Sequence, residues 1–229
     1  MAKTAQADGP LVTVEVVLLT AGERDLLVYL RKRREPPFEG VLSLPGSPVR
    51  VGESTEEAAE RVLETRTNLR GLYLQQLYTF SDPGRDPRGH SLSVAYYALF
   101  PTTHQRPNAD PLEDAWVPLR VAIKRELAFD HSGILEASLK RLQGRLNYTE
   151  DAFYLLPERF TIPQLQHVHE LVLGTRLKAD VFTKRVRDSL HKHQTRETAP
   201  SNGAGRPARL YRNPASLGRP LVATTEARR

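Results

Sequence analysis

The stretch GSPVRVGESTEEAAERVLETRTNL, residues 46–69, holds a full set of helix-start signals. Ser54 is followed three residues later by Glu57. That is the spacing of a capping box, in which each side chain takes up the other residue's backbone N–H. Ala58, Ala59, Val62, Leu63 and Arg66 then recur at helical spacing, so a helix is expected from Ser54 to about Leu69. Ahead of it runs a loop bounded by Gly46 and Gly52.

The neighbouring segments read as strands. Residues 11–20 (LVTVEVVLLT) and 25–31 (DLLVYLR) are aliphatic runs separated by Ala-Gly-Glu-Arg, which predicts a hairpin. Val41 to Leu44 is a short strand ending at Pro45-Gly46, and residues 72–80 and 91–100 are two more, joined by the loop SDPGRDPRGH. A polar loop, 101–113, leads to Ala115–Leu119. Asp130 or Ser132 can cap a helix over 133–146, with Ile134, Leu135, Leu139, Leu142 and Leu146 on one side. Together these give a mixed α/β sandwich over residues 10–148.

Residues 149–214 have a different texture. Thr161-Ile162-Pro163 is a helix start, with a Thr cap and Pro in the first turn, and Gly174 is its stop. A second helix over 178–190 turns Phe182, Val186 and Leu190 inward. HKHQTRET, a Pro/Ser/Asn/Gly loop and GRPARLYR follow. Helix, turn, helix and two short strands around a polar loop is the order of a winged helix-turn-helix. The fold class is therefore α+β, and residues 1–9 and 215–229 are expected to be disordered.

Composition narrows the function classes. The 229 residues contain no cysteine, which excludes disulfides and thiolate metal sites and fits a reducing, cytoplasmic setting. The polar start MAKTAQADGP has no apolar core, so no signal peptide is expected, and no apolar run approaches the ~18 residues of a membrane helix. Residues 1–149 hold 19 Lys+Arg and 19 Asp+Glu. The whole net charge of +6 therefore lies in residues 150–229, with 14 and 8. Such asymmetry fits either a face for a polyanion or a soluble basic tail.

The run 46–69 resembles the Nudix box, the loop-helix-loop of hydrolases that cleave nucleoside diphosphates linked to another group. In the pattern G-x5-E-x7-R-E-U-x-E-E-x-G-U, with U aliphatic, Ser47 stands for the first Gly. Glu53, Arg61 and Leu63 match; Val62 stands for the first helical Glu, Thr65 and Arg66 for the Glu pair, and Asn68 for the last Gly. The resemblance implies a fold that holds a pyrophosphate. It also implies that positions 62, 65 and 66, on one helix face, would gather divalent cations, which require hard oxygen ligands. Val62 offers none, Thr65 a neutral hydroxyl and Arg66 a positive charge. A permanently protonated guanidinium can contact phosphate bidentately and so replace the neutralising role of a metal without supplying a nucleophile. Arg85 and Arg88 add two cations that, with Arg31, Arg33 and Arg66, could ring a pyrophosphate; the alternative is ordinary surface ion pairing.

On the 178–190 helix, burying Phe182, Val186 and Leu190 leaves Asp180, Thr183, Lys184 and Arg187 outward, a mix that suits a major groove or a plain exposed face. Lys178 begins the same helix. Gly205-Arg206-Pro207-x-Arg209 is thin and extended and suits a minor groove, where Arg is favoured. Thr161 and Gln164 are placed to meet phosphate through the helix N-terminus. The pairs His167/His169 and His191/His193 lack a third ligand at useful spacing, so no metal site is expected.

The whole pattern resembles the Nudix-related transcriptional regulators of NAD metabolism (the NrtR family). The resemblance is carried by QQLYTFSDPGRDPRG (75–89), SVAYYAL (93–99), LAFDH (127–131), LLPERFT (155–161) and GRPARLYR (205–212). It implies a dimeric bacterial repressor on a palindromic double-stranded operator, controlling NAD biosynthesis or salvage genes and needing no cofactor. ADP-ribose or a related nucleotide would be its effector, on Arg33, Glu53, Arg66, Arg85, Arg88 and His131. The recognition helix departs from the family, with Asp180 and Val181 where basic and Asn residues are common. The rival expectations are a residual metal-dependent hydrolase using Glu53 and Glu57, and a scaffold with no ligand.

Overall fold

A computed structural model of the chain describes residues 9–101, 114–146, 151–199 and 208–217. The hairpin forms as expected, β1 (Leu11–Ala21) with β2 (Leu26–Lys32). Two short strands follow, β3 (Leu42–Ser43) and β4 (Gly46–Pro48); the second was expected to be loop. α1 (Thr55–Thr67) carries a complete capping box between Ser54 and Glu57. It ends on Asn68 in the left-handed region, φ 56°, whose N–H donates to Glu64 O. β5 (Tyr73–Phe80), β6 (Ser91–Leu99) and β7 (Asp114–Pro118) complete a sheet ordered β3-β2-β1-β6-β5, with β4 paired to β1 and β7 to β2. β1 and β6 run parallel in unbroken register from Leu11–Ser91 to Leu19–Leu99.

Side-chain parity along β1 divides the core in two. Val14, Val16 and Leu18 pack against Ala58, Ala59, Val62 and Leu63 of α1. Val17, Leu19 and Ala21 face the opposite side, towards Ile134, Leu135 and Leu142 of α3 (His131–Arg145). The short α2 (Leu119–Ile123) had no sequence signal beyond Pro118. α3 begins two residues earlier than expected and neither proposed side chain caps it. Asp130 occupies the N-cap position without a capping bond, because its carboxylate is bound to Arg85, and Ser132 donates instead to Arg125 O.

A 3₁₀ turn (Asp151–Leu155) leads into β8 (Arg159–Phe160), α4 (Ile162–Leu173), α5 (Ala179–Leu190), β9 (Gln194–Thr198) and β10 (Arg209–Arg212). β8, β10 and β9 form a three-stranded antiparallel wing. Gly174 closes α4 at φ 73°, where a side chain would be strained. Phe182, Val186 and Leu190 are 3, 9 and 1% exposed, as their spacing predicts. The apolar cluster on the α3 side of the sheet continues through Leu165, Val168, Phe182 and Leu190, so sandwich and winged helix share one core. The expected boundary at 148/149 lies outside the described residues, as do 1–8 and 218–229. Of the tail expected to be disordered, residues 215–217 belong to a 3₁₀ turn (Pro214–Leu217).

Candidate functional site

A cleft of about 600 Å³ opens at one end of the sheet, where β1 begins, β2 ends and β3 and β4 cross. Arg31, Arg33, Arg66, Arg85, Arg88 and His131 all line it, although they come from four separate segments. Seven cationic side chains and three carboxyl groups surround the space, so its field favours an anion.

Most of these cations are already held. Arg85, buried, grips Asp130 at 2.8 and 3.0 Å and Ser91 Oγ at 3.2 Å. Arg88 holds Asp86 through Nε and Nη2, and Arg31 Nε reaches Asp114 at 2.6 Å. Arg33 donates to the carbonyls of Pro37 and Glu35. The guanidiniums of Arg33 and Arg88 also lie 4.8 and 5.6 Å from the Phe129 ring centre. Phe129 takes a left-handed backbone, φ 55°, to hold that ring in place.

Arg66 differs from the others. Among the described residues no carboxylate pairs with its guanidinium, which shares the cleft with Arg31 and Arg34. Burial, and then repulsion from Arg31, lowers its pKa below the usual value. An unpaired guanidinium among like charges is stabilised by an arriving anion.

The other box positions fall elsewhere. Val62 is 1% exposed and packs in the core under α1, so it does not share a solvent face with Thr65 and Arg66 as its spacing suggested. Thr65 Oγ1 donates back to Arg61 O at 2.7 Å. Glu53 stands outside the cleft: Arg61 binds both its oxygens, at 2.6 and 2.8 Å, and Arg50 N–H donates to it. The Arg61 bond, chiefly, holds its carboxyl down at about 2. Arg61 also reaches Ser47 Oγ and Pro48 O, so this pair braces the glycine loop against the helix. No group of three or more potential metal-ligating side chains occurs among the described residues.

Two cleft groups were not read from the sequence as a site. Glu15, in the middle of β1, is 7% exposed, and burial pushes its carboxyl up to about 7. The signal was a lone carboxylate in an otherwise apolar strand, since burying a charge is costly. Asp130, behind the cleft lining, is the other, as the partner that fixes Arg85. His131 is buried and its Nδ1 accepts Leu44 N–H at 2.9 Å, so the ring proton sits on Nε2. Burial, with Arg85 and Arg33 nearby, lowers its pKa to about 3 and keeps it neutral.

At the other end of the molecule, α5 and the wing bound a second groove, about 1010 Å³, lined by Thr183, Arg187, His191, Arg196 and Arg209 among others. Lys178, Lys184, Arg187 and Arg209 are exposed. Among the described residues Lys184 and Arg187 form no ion pair. Arg206 lies outside the described residues. Thr161, expected as a helix cap, forms the capping box of α4 with Gln164. Gln164 Oε1 accepts Thr161 N–H at 2.8 Å, Thr161 Oγ1 accepts Gln164 N–H, and Thr161 is 8% exposed. Asp180 and Val181 are exposed in the first turn of α5, Val181 at 60%. Of the paired histidines, His167 Nε2 lies 3.1 Å from Gly22 O, and His169 packs edge-on against Phe182.

The two sites are joined by polar contacts across the shared core. Asp151, 2% exposed, accepts from Tyr97 OH, Tyr73 OH and Arg145. Arg120 donates to Leu171 O and Val172 O at the end of α4 while paired with Asp25 in the β1–β2 turn. A side chain at Gly174 would come within 2.8 Å of Arg120 Nη2.

Comparison with known proteins agrees with this division. The NUDIX domain family matches residues 9–137, and the NrtR DNA-binding winged helix domain matches residues 152–213. The ADPR responsive transcriptional repressor NtrR of Acinetobacter baylyi is 33% identical over 207 residues, which are 89% of this chain and 82% of that protein. The crystal structure of Shewanella oneidensis NrtR complexed with a 27mer DNA superposes with a TM-score of 0.79 at 34% identity, covering 90% of this chain and 94% of that one. The NUDIX domain of the same protein complexed with ADP ribose has a TM-score of 0.54 at 33% identity, covering 62% and 94%. This chain belongs to the NrtR family, a NUDIX domain followed by an NrtR DNA-binding winged helix.

Proposed function

We propose that this chain is a transcriptional repressor of NAD biosynthesis or salvage genes whose operator affinity is set by ADP-ribose or a close relative of it. The observation that carries this reading is Arg66: an unpaired guanidinium in a cationic cleft, at a box position that resemblance assigns to a metal-binding acid. In that role Arg66, with Arg31, Arg33, Arg85 and Arg88, neutralises a pyrophosphate directly. No cofactor is required, and without a metal-bound water the ligand is held intact.

Lys178, Thr183, Lys184, Arg187, Arg206 and Arg209 then face double-stranded DNA. α5 enters the major groove, and a homodimer places two copies of it ~34 Å apart on a palindromic site. Work on DNA places the protein in the cytoplasm, and no helix among the described residues is long and apolar enough to cross a membrane. The ligand acts by favouring one of two placements of the winged helices.

Selection from a random duplex pool tests the reading. A palindromic consensus should be recovered, and ADP-ribose should change the affinity for it. A pool without enrichment, or a consensus indifferent to ADP-ribose, refutes the proposal. Incubation of ADP-ribose with Mg²⁺ or Mn²⁺ should leave it intact; turnover to AMP would establish the hydrolase instead.

A further inference from the structure

The outward face of α5 carries two residues that phosphate contacts do not explain. With Phe182, Val186 and Leu190 buried, Asp180, Lys184 and Arg187 follow one another at spacings of four and three, and Val181 lies three residues before Lys184. These four share the face turned away from the core. Asp180 and Val181 occupy its first turn, the part of the second helix of a helix-turn-helix that meets base edges.

Packing accounts for neither residue. Val181 is 60% exposed. A β-branched side chain is a poorer helix former than Ala or Lys, so a lone Val among the exposed, charged Asp180, Lys184 and Arg185 adds nothing to α5. Asp180 is exposed and forms no ion pair among the described residues, although Lys184 stands one turn away. Its charge complements the free N–H groups of the first turn. On a DNA-binding face the same charge repels phosphate.

The floor of the major groove offers a partner for each. A carboxylate only accepts hydrogen bonds, and phosphate, guanine and thymine present it with acceptors. Cytosine presents the N4 amino donor alone, whereas adenine sets its N7 acceptor beside the amino group. Asp180 therefore matches cytosine better than the other three bases. Val181 matches the thymine C5-methyl, the apolar group of the groove floor. We propose that Val181 and Asp180 select the DNA sequence, Val181 packing on a thymine methyl and Asp180 accepting from the N4 amino group of a neighbouring cytosine. The inference rests on the DNA-binding reading and adds base selection to the phosphate contacts of Lys184 and Arg187. Asp180 also disfavours duplexes that lack the cytosine, because its repulsion from phosphate is then uncompensated.

The duplex that the full chain selects from a random pool is the probe. Fluorescence anisotropy compares it with copies in which deoxyuridine replaces one thymidine at a time, which removes only the methyl group. At one position of the half-site this should weaken binding by about fourfold, the effect of losing one buried methyl. Val181→Ala should lose a similar factor on the thymine duplex, become indifferent to uracil at that position and keep its salt slope. Full affinity of Val181→Ala, or a uracil penalty there that persists in the variant, overturns the assignment. Its Tm should stay the same or rise, since Ala is the better helix former. A lower Tm would trace the lost affinity to α5 itself and overturn the proposal.

Repeating the selection with Asp180→Asn tests the second contact. An amide both donates and accepts, which suits adenine N6 and N7, so adenine should displace cytosine beside the methyl-sensitive thymine. An unchanged consensus overturns the role of Asp180. The substitution also removes a charge from the start of α5, so base preference rather than stability is its readout. A pool that yields no consensus removes the DNA-binding reading itself, and the inference with it.

Discussion

Four arginines of the cleft are oriented before any ligand arrives, whereas Lys184 and Arg187 of α5 form no ion pair among the described residues. Arg85 is fixed by Asp130 and Ser91, Arg88 by Asp86, Arg31 by Asp114 and Arg33 by two carbonyls. Lys184 and Arg187 project from α5 into solvent. Pre-paired cations bind one shape, because they lose little side-chain freedom on contact and their spacing is set. Free cations follow a repeating backbone, and their contribution comes from counterion release. In the proposed function the same charge thus serves selectivity in one region and salt-sensitive affinity in the other.

The contrast depends on both regions belonging to one folded body, so the largest expected effect is at their junction. Asp151→Ala removes the buried acceptor shared by Tyr97, Tyr73 and Arg145. It should destabilise the chain by about 3 kcal/mol or more, read as a lower denaturation midpoint. A change within a few tenths of a kcal/mol would mean that the two regions fold independently.

Next in size is the DNA face. Replacing Lys184 and Arg187 together by Ala should reduce the slope of log affinity against log salt by about 1.8, at ~0.9 for each phosphate contact. Fluorescence anisotropy at several salt concentrations gives that slope. The loss should be similar on any duplex, because phosphate contacts carry no base information. An unchanged slope would remove these side chains from the interface.

Local signals made much of this legible. Ser54 with Glu57 announced one helix through residues three apart, the Thr161 cap with Pro163 in the first turn announced another, and the aliphatic runs 11–20 and 25–31 announced the hairpin. The cleft was readable only as a set of arginines. Their partners Asp114 and Asp130 lie 83 and 45 residues from Arg31 and Arg85, a distance no local spacing reports. Val62 shows the limit of helical arithmetic: one turn from Arg66, it lies under the sheet while Arg66 reaches past its end. Thr161 is ambiguous for a related reason, because a residue that can meet phosphate at a helix N-terminus also caps that helix.

Arg66→Ala sharpens the comparison from the cleft side. The side chain holds no carboxylate partner among the described residues, so stability should barely change. Nucleotide affinity should fall by about tenfold, as for loss of one charge-assisted bond. Operator affinity without ligand, and its salt slope, should stay as they were. A shift in that slope would mean that Arg66 faces DNA and that the two kinds of cation are not divided as described.

The smallest effect expected is at Thr161, where the two readings of one side chain give different numbers. As the cap of α4, Thr161→Ala costs about 1 kcal/mol of stability and leaves the salt slope unchanged. As a phosphate contact it would instead weaken DNA binding. The hydroxyl is turned towards Gln164 and nearly buried, and α4 gains from it whether or not DNA is present. The expected result is a lower Tm with DNA binding intact. Thr161→Ser, which keeps the hydroxyl, should restore that stability; if it does not, the lost methyl packing rather than the cap accounts for the change.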